Sequence, residues 1–198
     1  MKIDNFEQIK KLLMKDSDEY FYSIQILRRG KDHPELPAAN FCVKNICIKG
    51  AENLEKYRDE IIKFCEAFSA RAYICISRKS NQKCMLNALE CYAKRLSDGD
   101  YKKPQAIWWH AVGITKPQVK YWVIDIDEEQ LDEKESVIEW LNNWYKHCLS
   151  KKTLVGIVDI VSTVSGIHII TSPFKKDDFK EAFPDIEIKE PGLTLLYA

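Results

Sequence analysis

Apolar residues recur every three or four positions in some stretches of the chain and every second position in others. The switching between these two periods predicts an ordered series of helices and strands. Phe6, Ile9, Leu12 and Leu13 stand at helical spacing over Asn5 to Lys15, with Asp4 as the candidate N-cap. Tyr20 to Arg28 alternates Tyr20, Tyr22, Ile24 and Ile26 against Phe21, Ser23, Gln25 and Leu27, the period of a strand, and runs into the basic turn Arg28-Arg-Gly-Lys-Asp32. A loop with Pro34 and Pro37 follows, then a strand over Phe41 to Lys49. Next comes a helix over Ala51 to Ser69 with Leu54, Tyr57, Ile61, Phe64, Cys65 and Phe68 on one face. Arg71 to Ser77 predicts a third strand and Asn81 to Ser97 a helix with Met85, Leu89, Tyr92 and Leu96 in phase.

The second half repeats the alternation. Val119 to Glu128 is a strand, and Glu129 to Leu149 a helix turning Leu131, Val137, Ile138, Leu141, Trp144, Tyr145 and Cys148 inward. Thr153 to Ser162 and Gly166 to Thr171 are β-branched strands joined by a short turn. Lys175 to Phe183 is a last helix, and Asp185 to Lys189 with Leu193 to Tyr197 closes the chain as a hairpin around Glu190-Pro-Gly192. Strands and helices alternate throughout, which predicts an α/β or α+β class. One compact unit over residues 1–198 is expected, with an N-terminal α/β lobe over 1–100 and a C-terminal lobe over 101–198, parted at the polar, turn-rich Ser97 to Pro104.

Composition narrows the possibilities. The 198 residues are 45% hydrophobic, enough for one substantial core. Thirty basic and thirty acidic residues cancel, so no global positive field of the kind behind nonspecific DNA binding exists, and any nucleic-acid contact has to be local. Seven cysteines without a Cys-x-x-Cys pair argue against a zinc ribbon. The apolar neighbours of Cys42, Cys47, Cys65 and Cys75, with no signal peptide, predict buried, reduced thiols in a soluble cytoplasmic protein. No apolar run is long enough for a membrane span, so no membrane partner is expected.

Candidate chemistry concentrates in the second half. Asp125 and Asp127, two apart on one strand, share a face while Ile124 and Ile126 point the other way. Two adjacent carboxylates repel, so a hard divalent cation such as Mg²⁺ or Mn²⁺ is a natural partner, and replacing either acid should relieve repulsion. The alternative is that both acids solvate a strand end and cap the next helix. His168 lies mid-strand after the Ser-Gly turn at Ser165 and Gly166; it is either a core histidine or, with the turn's N–H groups, part of an anion cradle. Arg78 and Lys79 at a strand end before a helix read equally as an anion site or a solvated turn. Trp108, Trp109 and His110 are either a base-stacking cluster or packing.

Taken together, Val-Ile-Asp125-Ile-Asp127, Ser165-Gly-Ile-His168 and Ile186-Glu187-Ile188-Lys189 resemble, in order, spacing and strand context, the three motifs of the archaeo-eukaryotic primase superfamily, the primase-polymerases. The short second motif is nearer the phage and plasmid branches than the Ser-Gly-Arg-Arg-Gly-x-His form of cellular primases. The resemblance implies a primase-polymerase-like core with an RRM-like C-terminal lobe, without a zinc module or helical primase domain. It further implies nucleotidyl transfer from nucleoside triphosphates on a DNA or RNA template beside a replication partner such as a helicase. Asp125, Asp127 and Glu187 are then the metal ligands for Mg²⁺ or Mn²⁺, with Asp159, Asp185 and Glu190 as rivals of Glu187. His168, Ser165, Gly166 and Lys189 bind the nucleotide phosphates, and Arg78 and Lys79 are further candidates. The competing functions are a catalytically inactive nucleotide or nucleic-acid binder of the same fold, and a metal-dependent phosphohydrolase or nuclease.

Overall fold

Alternation of large apolar residues builds the first sheet. In the computed structural model, which describes residues 2–36, 38–100, 103–148, 156–190 and 192–198, helix α1 (Phe6–Leu12) precedes strands β1 (Tyr20–Arg29) and β2 (Asn40–Ile48). Helix α2 (Ala51–Phe68), strand β3 (Arg71–Ser80) and helices α3 (Asn81–Ser97) and α4 (Pro104–Ile114) follow. Tyr22, Ile24 and Ile26 of β1, Ile46 and Ile48 of β2, and Ala72, Ile74 and Ile76 of β3 face one way, onto Phe6 and Ile9 of α1 and Leu54, Ile61 and Cys65 of α2. The opposite face carries Phe21 into a smaller cluster with Cys84 and Ala88 of α3 and Ala111 and Val112 of α4.

The second sheet is made of β4 (Trp122–Asp127), β5 (Ile157–Thr163), β6 (Gly166–Thr171) and β7 (Glu187–Lys189). A 3-10 helix (Glu128–Glu133) leads from β4 into α5 (Lys134–Cys148), and α6 (Lys176–Ala182) joins β6 to β7. All neighbours are antiparallel in the order β5-β6-β4-β7. The connection β4-α5-β5 is therefore split by β6, and β6-α6-β7 is split by β4, two interleaved split β-α-β units. Trp122, Ile124, Ile126 and Ile169 pack on one face against Val137, Leu141 and Tyr145 of α5 and Phe179 of α6. From the other face Val123, Val161 and Ile170 enter the core of the first sheet.

Several expectations are corrected. The closing hairpin does not form: β7 pairs with β4, but β8 (Leu193–Tyr197) crosses to pair with β3, giving the first sheet the order β2-β1-β3-β8. Gly192 permits the crossing, because a Cβ there would lie 2.8 Å from the Val123 nitrogen. The lobes do not divide at residue 100 either, since α4 packs on α3 and the last strand belongs to the first sheet. On α3 the small residues Cys84 and Ala88 turn inward, while Met85, Leu89 and Leu96 are exposed. The helix expected from Glu129 begins as 3-10 and leaves Leu131 exposed. The strand expected from Thr153 is described only from Ile157; 153–155, Leu149, the Cys148 side chain, Pro37, Pro191, Tyr101 and Lys102 lie outside the described residues or side chains.

Cys42 is exposed on the outer end of edge strand β2, whereas Cys65 and Cys75 are buried and Cys47 is half-buried. Burial pushes the Cys47 and Cys65 thiols up to about 12. Among the described residues no helix is long and apolar enough to cross a membrane.

Candidate functional site

Strand register gathers the site. On central strand β4, Asp125 stands opposite His168 of β6 on one side and Glu187 of β7 on the other, while Asp127 stands opposite Gly166. Residues directly paired across a ladder share a face, so Asp125, Asp127, His168 and Glu187 all project from the side opposite Ile124 and Ile126. Lys189, paired with Val123, projects from the same side. The turn Val164-Ser165 between β5 and β6 is short enough to hold Gly166 against β4. A Cβ at Gly166, whose φ is +147°, would land 2.9 Å from the Asp127 Cα and closer still to the Ile126 carbonyl oxygen. Ser165 accepts a hydrogen bond through its carbonyl from the Glu128 N–H at 2.7 Å.

His168 is buried, and both ring nitrogens are engaged inside the protein. Its Nε2 lies 3.2 Å from Asp125 Oδ1, and its Nδ1 lies 3.1 Å from the Thr194 hydroxyl on β8. The ring thus orients the carboxylate and is itself held by the crossing strand. The other oxygen, Asp125 Oδ2, accepts a hydrogen bond from Lys189 Nζ, which also stands 3.8 Å from Glu187 Oε2. Burial pushes the Asp125 carboxyl up, but hydrogen bonds and charge from His168 and Lys189 outweigh it and hold the group well below the usual carboxylate range. Asp127 is exposed and caps the 3-10 helix: its side chain accepts from the Gln130 N–H, while the Gln130 side chain accepts from the Asp127 N–H at 3.3 Å.

The same face opens onto a cleft of about 310 Å³ between the two sheets. Asp125, Asp127, Ser165, His168 and Lys189 line it from the second sheet, and Arg29, Lys31, Asp32, Arg71 and Tyr73 from the first. Arg71 pairs with Asp32. Arg29 donates to the Tyr73 hydroxyl at 3.2 Å, but its Nε is buried without a partner, and among the described residues no carboxylate pairs with it. Its charge is met by the Tyr73 hydroxyl and ring alone among these contacts, so an anion in the cleft would be favourable beside it.

No family model, curated protein or solved structure matches the chain.

The structure separates the rival third acids. Asp159 accepts from Gln8 at 2.9 Å and from the Ile160 N–H at 2.8 Å, and Glu190 pairs with Lys120 and Lys176. Among the described residues Asp185 is engaged through its carbonyl, by Gln130 at 3.2 Å, and its place before β7 puts it outside the β4–β7 ladder. Glu187 alone of the four stands directly across from Asp125. Arg78 and Lys79 fall away from the site. They sit toward the opposite end of β3 from Arg71 and Tyr73, five residues or about 16 Å beyond Tyr73 at the rise of a strand. There Arg78 covers the Tyr20 ring and Lys79 is buried, donating to the Val112 carbonyl. Trp108 and Trp109 are half-buried against the Phe21 cluster.

Sequence reasoning missed Arg29, Lys31, Arg71 and Thr194. The first two were visible as a basic turn; what places them opposite Asp125 is the packing of two sheets, which no local pattern encodes.

As a donor set, three carboxylates on one sheet face suit a hard divalent cation. As the side chains stand, no three His, Cys, Asp or Glu among the described residues are gathered closely enough to hold a metal. Lys189 bridges toward Asp125 and Glu187 in a cation's stead, and Asp127 is turned to its cap.

Proposed function

We propose that the cleft binds a nucleoside triphosphate and carries out metal-dependent nucleotidyl transfer, extending or making primers on a nucleic-acid template as a primase-polymerase-like core would. The observation that supports this is the facing of two charge arrays across one cleft: Asp125 and Asp127 on the second sheet, with Glu187 beside Asp125 on the same sheet face, and Arg29, without a carboxylate partner among the described residues, with Lys31 and Arg71 on the first. Phosphoryl chemistry asks for this division, since its catalysis is mainly positioning and charge neutralisation.

In this reading Arg29, Lys31 and Arg71 hold the phosphates. Asp125, kept ionised at neutral pH by its partners, and Asp127 and Glu187 would hold Mg²⁺ or Mn²⁺, which when bound neutralises charge developing on the transferred phosphate. His168 fixes the rotamer of Asp125 through Nε2 and is itself fixed by Thr194; it is a positioning residue, and its buried nitrogens offer no N–H to a phosphate as the side chains stand. Any template, and a partner such as a helicase, would contact surfaces beyond the cleft.

A second reading is favoured by Lys189. Because its ammonium already neutralises Asp125, the cleft has the means to bind a nucleotide as an anion with no metal and no chemistry. Calorimetric titration of ATP and of dATP with Mn²⁺ separates the two. Metal-dependent binding that an Asp125→Ala, Asp127→Ala double variant abolishes, followed by primer extension on a primed template, is the expected result. Equal binding with and without Mn²⁺ would move the function to the second reading, and no binding in either condition would remove both.

A further inference from the structure

Asp125 has two oxygens and, in this structure, a donor neighbour on each, so a divalent cation would have to share an oxygen with His168 or with the ammonium of Lys189. His168 is buried and anchored by Thr194 and cannot leave without breaking that bond. Lys189 can: its side chain is 28% exposed at the mouth of the cleft, on a flexible four-carbon stem. Its second contact, to Glu187, is 3.8 Å long and on a side chain 68% exposed, where an ion pair holds little. A divalent cation and an ammonium compete for one carboxylate oxygen, because their charges repel at contact distance. A group that receives the ammonium removes that competition.

We infer that Lys189 is an exchangeable counter-ion of Asp125, surrendered to an anion entering the cleft, so that the acid cluster binds a divalent cation more tightly once the polyphosphate is in place. The inference rests on the nucleotidyl-transfer reading and adds to it an order of binding. Arg29 and Lys31, without carboxylate partners among the described residues, attract the anion first. Phosphate oxygens then offer Lys189 a partner within the same cleft. Its departure leaves Asp125 Oδ2 open beside Glu187 and Asp127. By linkage, anion and metal each tighten the binding of the other, and Lys189 carries the coupling.

The test uses Mn²⁺ as the probe metal and tripolyphosphate as the probe anion. Mn²⁺ affinity is read by electron paramagnetic resonance of the free ion, for the full chain and for Lys189→Met and Lys189→Gln, with and without tripolyphosphate. Chelation in solution is identical for all three proteins, so the ratio of variant to wild-type affinity isolates the lysine. Without tripolyphosphate both variants should bind Mn²⁺ at least about tenfold more tightly than wild type, and with saturating tripolyphosphate the ratio should fall to near one. Equal Mn²⁺ affinity in wild type and variants without the anion, or a ratio unchanged by it, overturns the exchange while leaving the metal site intact. Absence of Mn²⁺ binding from all three proteins in both conditions overturns the nucleotidyl-transfer reading and the exchange with it. Thermal melting of each variant confirms that the comparison is between folded proteins.

Discussion

Asp125 shows how far a single residue could be read in advance. Its strand, its face and its closeness to Asp127 follow from a period of two, and the resemblance to primase-polymerases put His168 and Glu187 near it. The structure places both directly across from it. The pattern did not reveal that the charge of Asp125 is met by Lys189 from the next strand, which reverses one energetic expectation. Removing the acid relieves no repulsion, because Asp127 is turned to its cap; it strands Lys189 and leaves His168 without its acceptor. Asp125→Asn should therefore lose roughly 1–3 kcal/mol at neutral pH, the scale for removing one partner of a partly buried charge pair. The sign of the pH effect follows from the lowered ionisation of the folded carboxyl. The stabilisation is fully present above the unfolded value near pH 4 and is lost as pH falls through the folded value below it. Urea midpoints of wild type and Asp125→Asn should stand apart at pH 7 and draw together below about pH 4; a constant separation down to pH 2 would show that the carboxylate is unpaired.

At the scale of elements, strands were more legible than helix faces. Gly166–Thr171 was read to the residue because a glycine turn and β-branched alternation fix both its start and its phase. On α3 the same style of reading found the right helix and turned the wrong face inward. Four large apolar residues in phase outweighed Cys84 and Ala88, yet only small side chains let α3 lie close against α4 and the sheet. The junction of β5 and β6 is testable through its glycine. Gly166→Ala should cost at least about 3 kcal/mol, from a positive φ and a clash with the backbone of β4 that no side-chain movement relieves. Gly113→Ala, on α4 with open space around it, is the matched control and should be neutral or stabilising by up to about 1 kcal/mol. Denaturant unfolding of the two variants compares them directly; equal effects would mean that the close approach of β6 to β4 is absent in solution.

For the whole molecule, the class was legible and the partition was not. Turn-rich residues near 100 look like a boundary, but the tie between the sheets lies some ninety residues further on in sequence, in a strand whose local pattern fits a hairpin equally well. Because Val123, Val161 and Ile170 of the second sheet share a core with Phe6, Ile24 and Ile61, the two lobes should unfold together. In a Trp108→Phe, Trp109→Phe background, far-ultraviolet circular dichroism and the fluorescence of Trp122, Trp140 and Trp144, which cluster in the second lobe, should give one midpoint in urea. Separate midpoints would show independent lobes. The crossing strand also sets a schedule for the newborn chain. β3 pairs with β8 across more than a hundred intervening residues, and the imidazole that steadies Asp125 leans on Thr194. Until Leu193 to Tyr197 leave the ribosome, the first sheet lacks its fourth strand and the cleft lacks its brace. The site is completed only after β8 has emerged, and a chain stalled before that strand would have its chemistry unassembled.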